Sequence, residues 1–129
     1  MPKPKKINIL VTGGTGFLGE KFIVAKKNKY NIYATYRTEH SRISGIKWLK
    51  LDLSKKEDFE KVYRQLKSVH ISAIVHIGGS SPNRAYAEGN FDATILGTKY
   101  LLNFGKKLKI AKFIFISSIV VTLPYKGPY

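Results

Sequence analysis

Residues 7–19, INILVTGGTGFLG, decide how this chain is read. The apolar run INILV breaks directly into Gly13, Gly16 and Gly19, three glycines spaced by three. Phe17, Leu18, Phe22 and Ile23 then recur in a helical pattern, so the stretch reads as buried strand, tight turn and helix. Such a junction suits a dinucleotide's pyrophosphate. The first glycine permits the turn, the second lets backbone approach the phosphates, and the third lets the helix pack closely on the strand. Helix N–H groups left without partners then face the anion. Thr15, Phe17 and Leu18 belong to the same turn and count with the three glycines as expected cofactor contacts.

Outward from this junction, apolar and β-branched runs alternate with helical patterns. INILVT (7–12), NIYATY (31–36), IKWLKL (46–51), AIVHI (73–77) and FIFIS (113–117) predict five strands of a doubly wound parallel α/β sheet of Rossmann type. After the third strand, Ser54 and Glu57 have capping-box spacing, and Phe59, Val62, Tyr63 and Leu66 share one helical face. A further helix is expected from Asn90 to Lys106, with Phe91, Ile95, Leu101, Leu102 and Phe104 on its buried side. Gly97 inside it costs about 1 kcal/mol in propensity, which predicts close packing there. Only TEHSRISG (38–45) separates the second and third strands, too short for a crossover helix.

The length of 129 residues fits a single domain, 1–129, able to bury roughly two-thirds of its unfolded surface without staples. No run approaches the roughly 18 apolar residues of a membrane span, and MPKPKK lacks a signal peptide's apolar region, so the cytoplasm is the expected location. The absence of cysteine excludes disulfides, thiolate metal sites and cysteine nucleophiles. His40, His70 and His76 lack metal-ligand spacing, no metal site is expected, and His76 by itself reads as a satisfied strand histidine. A formal charge of +15 favours polyanions as partners. The lysines are scattered along the chain, however, and a solvated basic surface explains them better than a nucleic-acid site.

A P-loop would place a lysine directly after Gly19 and then a hydroxyl residue. Glu20 and Phe22 exclude it, since Lys21 is one residue late. TGGTGFLG instead resembles the TGxxGxxG pattern of extended short-chain dehydrogenases/reductases, the NAD-dependent epimerase/dehydratase family of nucleotide-sugar enzymes. Further matches follow in order. Asp52-Leu53 resembles the family's adenine contact at the end of the third strand, and VHIGG (75–79) resembles its VIHLAA segment beside the cofactor ribose. That resemblance implies cofactor contacts at Ile77, Gly78 and Gly79. Gly97-Thr98 with Leu101-Leu102 resembles GTxxLL, and FIFISSIVV (113–121) resembles FVYxSSxxV. The last match implies a cofactor contact at Ser117 and puts Ser118 at the family's catalytic Ser/Thr position. Two departures stand out: Thr94 replaces the Asn of NVxGT, and Thr122 replaces the Tyr of SSxxVY.

In this fold a carboxylate ending the second strand binds the NAD ribose, whereas an arginine there accommodates the 2′-phosphate of NADP. Here the strand ends in Tyr36-Arg37, with Arg42 nearby and no carboxylate before Glu39. Arg37 therefore predicts NADP in preference to NAD. The competing reading is an exposed arginine on a very basic protein. The resemblance also implies a tyrosine and a lysine in a YxxxK helix after Ser118. Only Tyr63 to Lys67 fits YxxxK, and it precedes the serine on the buried face of a helix. The chain is thus expected to bind dinucleotide as the N-terminal portion of a longer architecture. Alone it would be catalytically incomplete, with nucleotide-sugar chemistry requiring a C-terminal domain. A fifth strand without its usual neighbour would expose an edge that a homo-oligomer could cover. The alternatives are a non-catalytic dinucleotide-binding or regulatory module and, disfavoured, a basic nucleic-acid-binding protein.

Overall fold

Asn8–Thr12 forms β1, the central strand, and its neighbours on both sides run parallel to it. The computed structural model describes residues 2–79 and 92–117. Over these residues β1 is followed by α1 (Phe17–Lys26), β2 (Asn31–Tyr36), β3 (Lys47–Lys50) and α2 (Lys56–Leu66). Then come β4 (Ala73–His76), α3 (Asp92–Lys107) and β5 (Lys112–Phe115). The strand order is β3-β2-β1-β4-β5 and every pairing is parallel, the Rossmann arrangement. All five expected strands form within two residues of their predicted ends. β2 connects to β3 with no helix between them, as the short TEHSRISG segment requires. No helix among the described residues is long and apolar enough to cross a membrane.

Alternation along each strand builds two cores. Leu10, Tyr33, Leu49 and Ile74 point to the face covered by α2 and α3, where they meet Phe59, Val62, Leu66, Leu101 and Phe104. Ile9, Val11, Ile32, Ala34 and Val75 point to the other face and pack with Ile23 of α1. Complete burial of each large apolar side chain contributes about 1.5–3 kcal/mol. β1 serves both cores, so it is fixed from above, below and both sides.

Two local expectations are corrected. The Ser54–Glu57 capping box does not form: α2 begins at Lys56, with Lys55 as its N-cap residue and no side-chain cap. The Ser54 hydroxyl and N–H instead donate to Asp52 Oδ1 at 2.7 and 3.0 Å. Asp58, not Glu57, reaches back and accepts the Asp52 N–H at 2.9 Å. A carboxylate two residues upstream outcompetes the helix end for the serine's donors. In α3, Ile95 and Leu102 are exposed, while Gly97, Leu101, Phe104 and Gly105 face the core. Ile95 and Leu102, seven residues apart, share the opposite side of the helix. The start expected at Asn90 and the contribution of Phe91 lie outside the described residues.

Gly97 meets its expectation in detail. A Cβ there would come 2.7 Å from Leu53 Cβ and 2.9 Å from the Leu53 carbonyl oxygen. The helix therefore lies directly on the loop after β3, which holds Asp52 and Leu53 in place.

Candidate functional site

Strand order reverses direction at β1, since β2 lies on one side and the crossover to β4 goes to the other. Ligands in open parallel sheets bind in the crevice that this reversal leaves at the carboxyl ends of the strands. A cleft of about 460 Å³ lies there. It is lined by the glycine turn and the first turn of α1, by the ends of β2 and β3, and by the loop after β4.

The three glycines perform three separable tasks. Gly13 has φ +72°, the left-handed conformation that the turn needs, and a Cβ there would lie 2.7 Å from the Gly78 backbone. Gly16, the N-cap residue of α1, would meet only the Gly13 oxygen, at 3.4 Å, so the space above it is open to the cleft. A Cβ on Gly19 would overlap the Gly13 carbonyl oxygen, which is how closely helix and turn are packed. No side chain caps α1, and the first hydrogen bond of its ladder is Glu20 N–H to Gly16 O at 2.9 Å. The Gly14 and Gly16 N–H groups are bonded to Thr35 O and Gly13 O, so it is the N–H groups of the first helical turn, Phe17 to Gly19, that are left to the cleft. A side chain at Gly16 would enter this space, and the cradle fits a pyrophosphate.

Every residue expected to touch the cofactor except Ser117 lines this one cleft: Gly13, Thr15, Gly16, Phe17, Leu18 and Gly19, with Arg37, Asp52, Leu53, Ile77, Gly78 and Gly79. Ser117 is exposed just past β5 and does not line it. Ser118 lies outside the described residues, as does Thr122. Phe17 and Leu18 are exposed rather than buried, which leaves an apolar wall at the mouth of the cleft. Tyr63 lines a separate small cleft between α2 and α3, where the Lys107 ammonium stands 3.9 Å above its ring. Tyr63 and Lys67 therefore have no part in the dinucleotide cleft.

The electrostatics are uneven along the cleft. At the β2–β3 end Arg37 is exposed, and Lys50 and Lys55 stand close to it around an adjoining hollow. Burial raises the pKa of the Asp52 carboxyl there. The hydrogen bonds from Ser54 and the Lys55 and Arg37 charges outweigh burial, and the net pKa lies below its ordinary value. At the β4 end lies a neutral polar group that sequence reading assigned to ordinary strand packing. His76 is buried, and its pKa is lowered from 6.5 to about 4 by desolvation. Its Nδ1 lies 2.6 Å from Thr12 Oγ1 and its Nε2 lies 3.0 Å from Thr98 Oγ1. A signal for this pair was present: Thr12 and His76, the polar residues that close two apolar strands, are register partners.

The comparisons with known proteins agree with this geometry. Residues 9–124 match the model of the NAD dependent epimerase/dehydratase family. The chain is 28% identical over 127 residues to dTDP-D-glucose 4,6-dehydratase of Dictyostelium discoideum, covering 85% of this chain and 28% of the relative. It is 31% identical over 127 residues to UDP-glucose 4-epimerase of Vibrio cholerae, covering 94% of this chain and 36% of the relative. The chain thus spans about a third of the length of these curated relatives. Among solved structures, UDP-glucose 4-epimerase from Bifidobacterium longum, in complex with NAD+ and UDP, superposes with a TM-score of 0.72. At 22% identity over 88% of this chain and 38% of that one, this likeness speaks for the fold.

Proposed function

The chain belongs to the NAD dependent epimerase/dehydratase family, and from that premise we propose that residues 1–129 form one dinucleotide-binding domain, the N-terminal portion of an extended short-chain dehydrogenase/reductase that prefers NADP to NAD. The observation that carries this reading is convergence. Residues picked from four separate stretches of sequence meet in one cleft at the strand reversal. The Gly13–Gly19 turn and the α1 N-terminus would hold the pyrophosphate. Asp52 and Leu53 would hold the adenine, and Ile77, Gly78 and Gly79 would border the second ribose. The bound cofactor would accept or donate hydride. Arg37, assisted by Lys50 and Lys55, would pair with a 2′-phosphate, because guanidinium and phosphate match bidentately.

Nucleotide sugars are the proposed substrates of the complete architecture. The named activities of both curated relatives support this class. Ser118 would orient the reacting sugar hydroxyl, and a tyrosine with a lysine beside it would move that hydroxyl's proton. No such pair faces the cleft among the described residues. Residues 1–129 alone are therefore proposed to bind dinucleotide without turning over a sugar nucleotide. Action in the cytoplasm and self-association belong to the same reading. Support for the latter is the exposure of Ile114, Phe115 and Ile116 at the β5 edge.

Trp48 is the only tryptophan, and its Cζ3 lies 3.0 Å from where a Gly14 Cβ would stand, directly behind the phosphate turn. Its fluorescence therefore reports on the site. Titration should show saturable quenching, with NADPH binding about tenfold more tightly than NADH, a difference of about 1.4 kcal/mol. Arg37→Ala should remove that difference and leave NADH binding unchanged. Equal affinities in the unaltered chain would overturn the NADP preference. Absence of saturation by either nucleotide would overturn dinucleotide binding itself. Quenching by duplex DNA that collapses with added salt would point to the nucleic-acid alternative.

A further inference from the structure

Between β1, β4 and α3 runs a chain of hydrogen bonds whose direction can be worked out atom by atom. Thr98 Oγ1 lies 2.6 Å from the Thr94 carbonyl oxygen, which can only accept, so the single hydroxyl proton of Thr98 is committed there. The contact between Thr98 Oγ1 and His76 Nε2 must then be an N–H donation from the imidazole. A neutral imidazole protonated on Nε2 carries a lone pair on Nδ1. Thr12 Oγ1, at 2.6 Å, therefore donates to Nδ1. The same Thr12 oxygen accepts the Gly78 N–H at 3.2 Å. Each contact has one direction, and none can be reversed without orphaning a buried group. Among neutral forms only the Nε2–H tautomer fits.

The two ends of this relay differ in kind. At one end is the first turn and a half of α3, the helix whose Gly97 rests on Leu53. At the other is Gly78, whose backbone lies 2.7 Å from where a Gly13 Cβ would stand. Thr12 immediately precedes Gly13 and His76 lies two residues before Gly78, so one imidazole ties the two backbone turns that line the cleft from opposite sides of the strand reversal. Phe113 and Phe115 flank the ring, with centroids 5.9 and 5.5 Å away, and exclude water from it. Low local dielectric strengthens each bond in such a chain and makes any unpaired member costly.

We propose that His76 is a positioning residue for the dinucleotide: held as the Nε2–H tautomer between Thr12 and Thr98, it sets the spacing of the Gly13 and Gly78 turns, and so the aim of the backbone groups that meet the pyrophosphate and the neighbouring ribose. The role rests on the dinucleotide reading above. It does not extend to the adenosine end, which Arg37 and Asp52 line from the β2 and β3 side. A strut that only held the fold together would show no such division.

The experiment exploits this division. NADPH and adenosine 2′-monophosphate, a fragment that lacks the pyrophosphate and second ribose, are titrated against the unaltered chain, His76→Phe, His76→Gln and Thr98→Val. In His76→Phe the dissociation constant for NADPH should rise about tenfold or more, while that for the fragment changes less than about twofold. His76→Gln can still donate toward Thr98 and should recover part of the loss, and Thr98→Val should show a smaller loss of the same selectivity. A proportionate weakening of both ligands, or none, in the histidine variants would overturn the positioning role. Should His76→Phe fail to fold, Thr98→Val carries the same comparison. Independently of any ligand, nitrogen-15 NMR of the unaltered chain at neutral pH should show His76 protonated on Nε2 alone. The Nδ1–H tautomer or an imidazolium would overturn the relay. If the unaltered chain binds the fragment and NADPH not at all, the proposed function fails, an outcome distinct from normal NADPH binding that survives loss of His76.

Discussion

β1 and β5 are written in the same language, NILVT and KFIF, yet they have opposite fates. β1 is hydrogen-bonded on both sides and buried over Ile9 to Thr12. Among the described residues β5 pairs only with β4, and Ile114 and Phe115 are about half exposed. An apolar β-branched run specifies a strand, because such residues suit a pleated surface. It does not specify where in the sheet the strand sits, and burial follows from position. The function follows the same contrast. Phosphate turn, relay and strand reversal are gathered at the end of the strand that cannot move, whereas Ser117, at the end of the edge strand, misses the cleft.

The largest test of this contrast is Gly19→Ala. A methyl group there overlaps the Gly13 carbonyl oxygen, a backbone atom that no rotamer change can move aside. The helix must separate from the turn, and a loss of about 4 kcal/mol in denaturant unfolding is expected, with dinucleotide binding abolished. Gly45→Ala is the control for methyl addition alone, since nothing lies within 4 Å of a Cβ there. Gly45 does have φ +79°, so that control carries a strain cost of about 1 kcal/mol, read from the same unfolding curves. Next comes Leu10→Ala. Leu10 is fully buried among β2, β4, α2 and α3 residues, and its loss should cost about 3 kcal/mol.

Acid should loosen the β1–β4 centre before the rest. The folded chain keeps His76 neutral until about pH 4, while in the unfolded chain it ionises near 6.5. Between these values the unfolded state binds the extra proton, so stability falls as pH drops from about 6.5 to about 4, by about 3 kcal/mol in all from this group. Asp52, lowered on folding, acts in the same direction but only below its ordinary carboxylate range. Urea titrations at several pH values should show the first loss in the histidine window, and His76→Gln should flatten it. A stability profile that stays level from pH 6.5 to 4 would contradict a buried neutral imidazole.

Most of the fold, and the phosphate half of the site, could be read in the sequence because they depend on local geometry. Glycines at fixed spacing after an apolar run encode a turn whatever surrounds it: Gly13 takes the positive φ and Gly19 the close packing expected of them, and Gly16 opens on the cleft. What escaped depends on partners distant in sequence. Ser54 was read as a cap because its competitor, the Asp52 side chain, has no signature in the spacing of Ser54 and Glu57. Ile95 and Leu102 were assigned to the core because apolarity alone does not tell which side of α3 meets the sheet. His76 was read as a satisfied strand histidine, which it is. Its connection to Gly78 through Thr12 spans 66 residues and appears only when β1 and β4 are in register.

The smallest expected effect is the one that would most damage the contrast. Ile114 and Ile9 are both isoleucines in parallel strands that flank β4, two residues apart in register: Ile9 pairs with Ala73, Ile114 with Val75. If strand identity governed energetics, truncating either to alanine would cost the same. Ile9 is 4% exposed and Ile114 is 48% exposed. The transfer term scales with area removed from water, and an exposed site leaves no cavity when trimmed. Ile9→Ala should therefore cost about 3 kcal/mol and Ile114→Ala less than about 1 kcal/mol in the same unfolding assay. A cost for Ile114→Ala that equals the Ile9 value and grows with protein concentration would mean that the β5 edge is buried against a second copy, by mass action. In that case sedimentation should show the dimer in the unaltered chain and a monomer in Ile114→Lys, because a charge on an edge strand blocks further pairing.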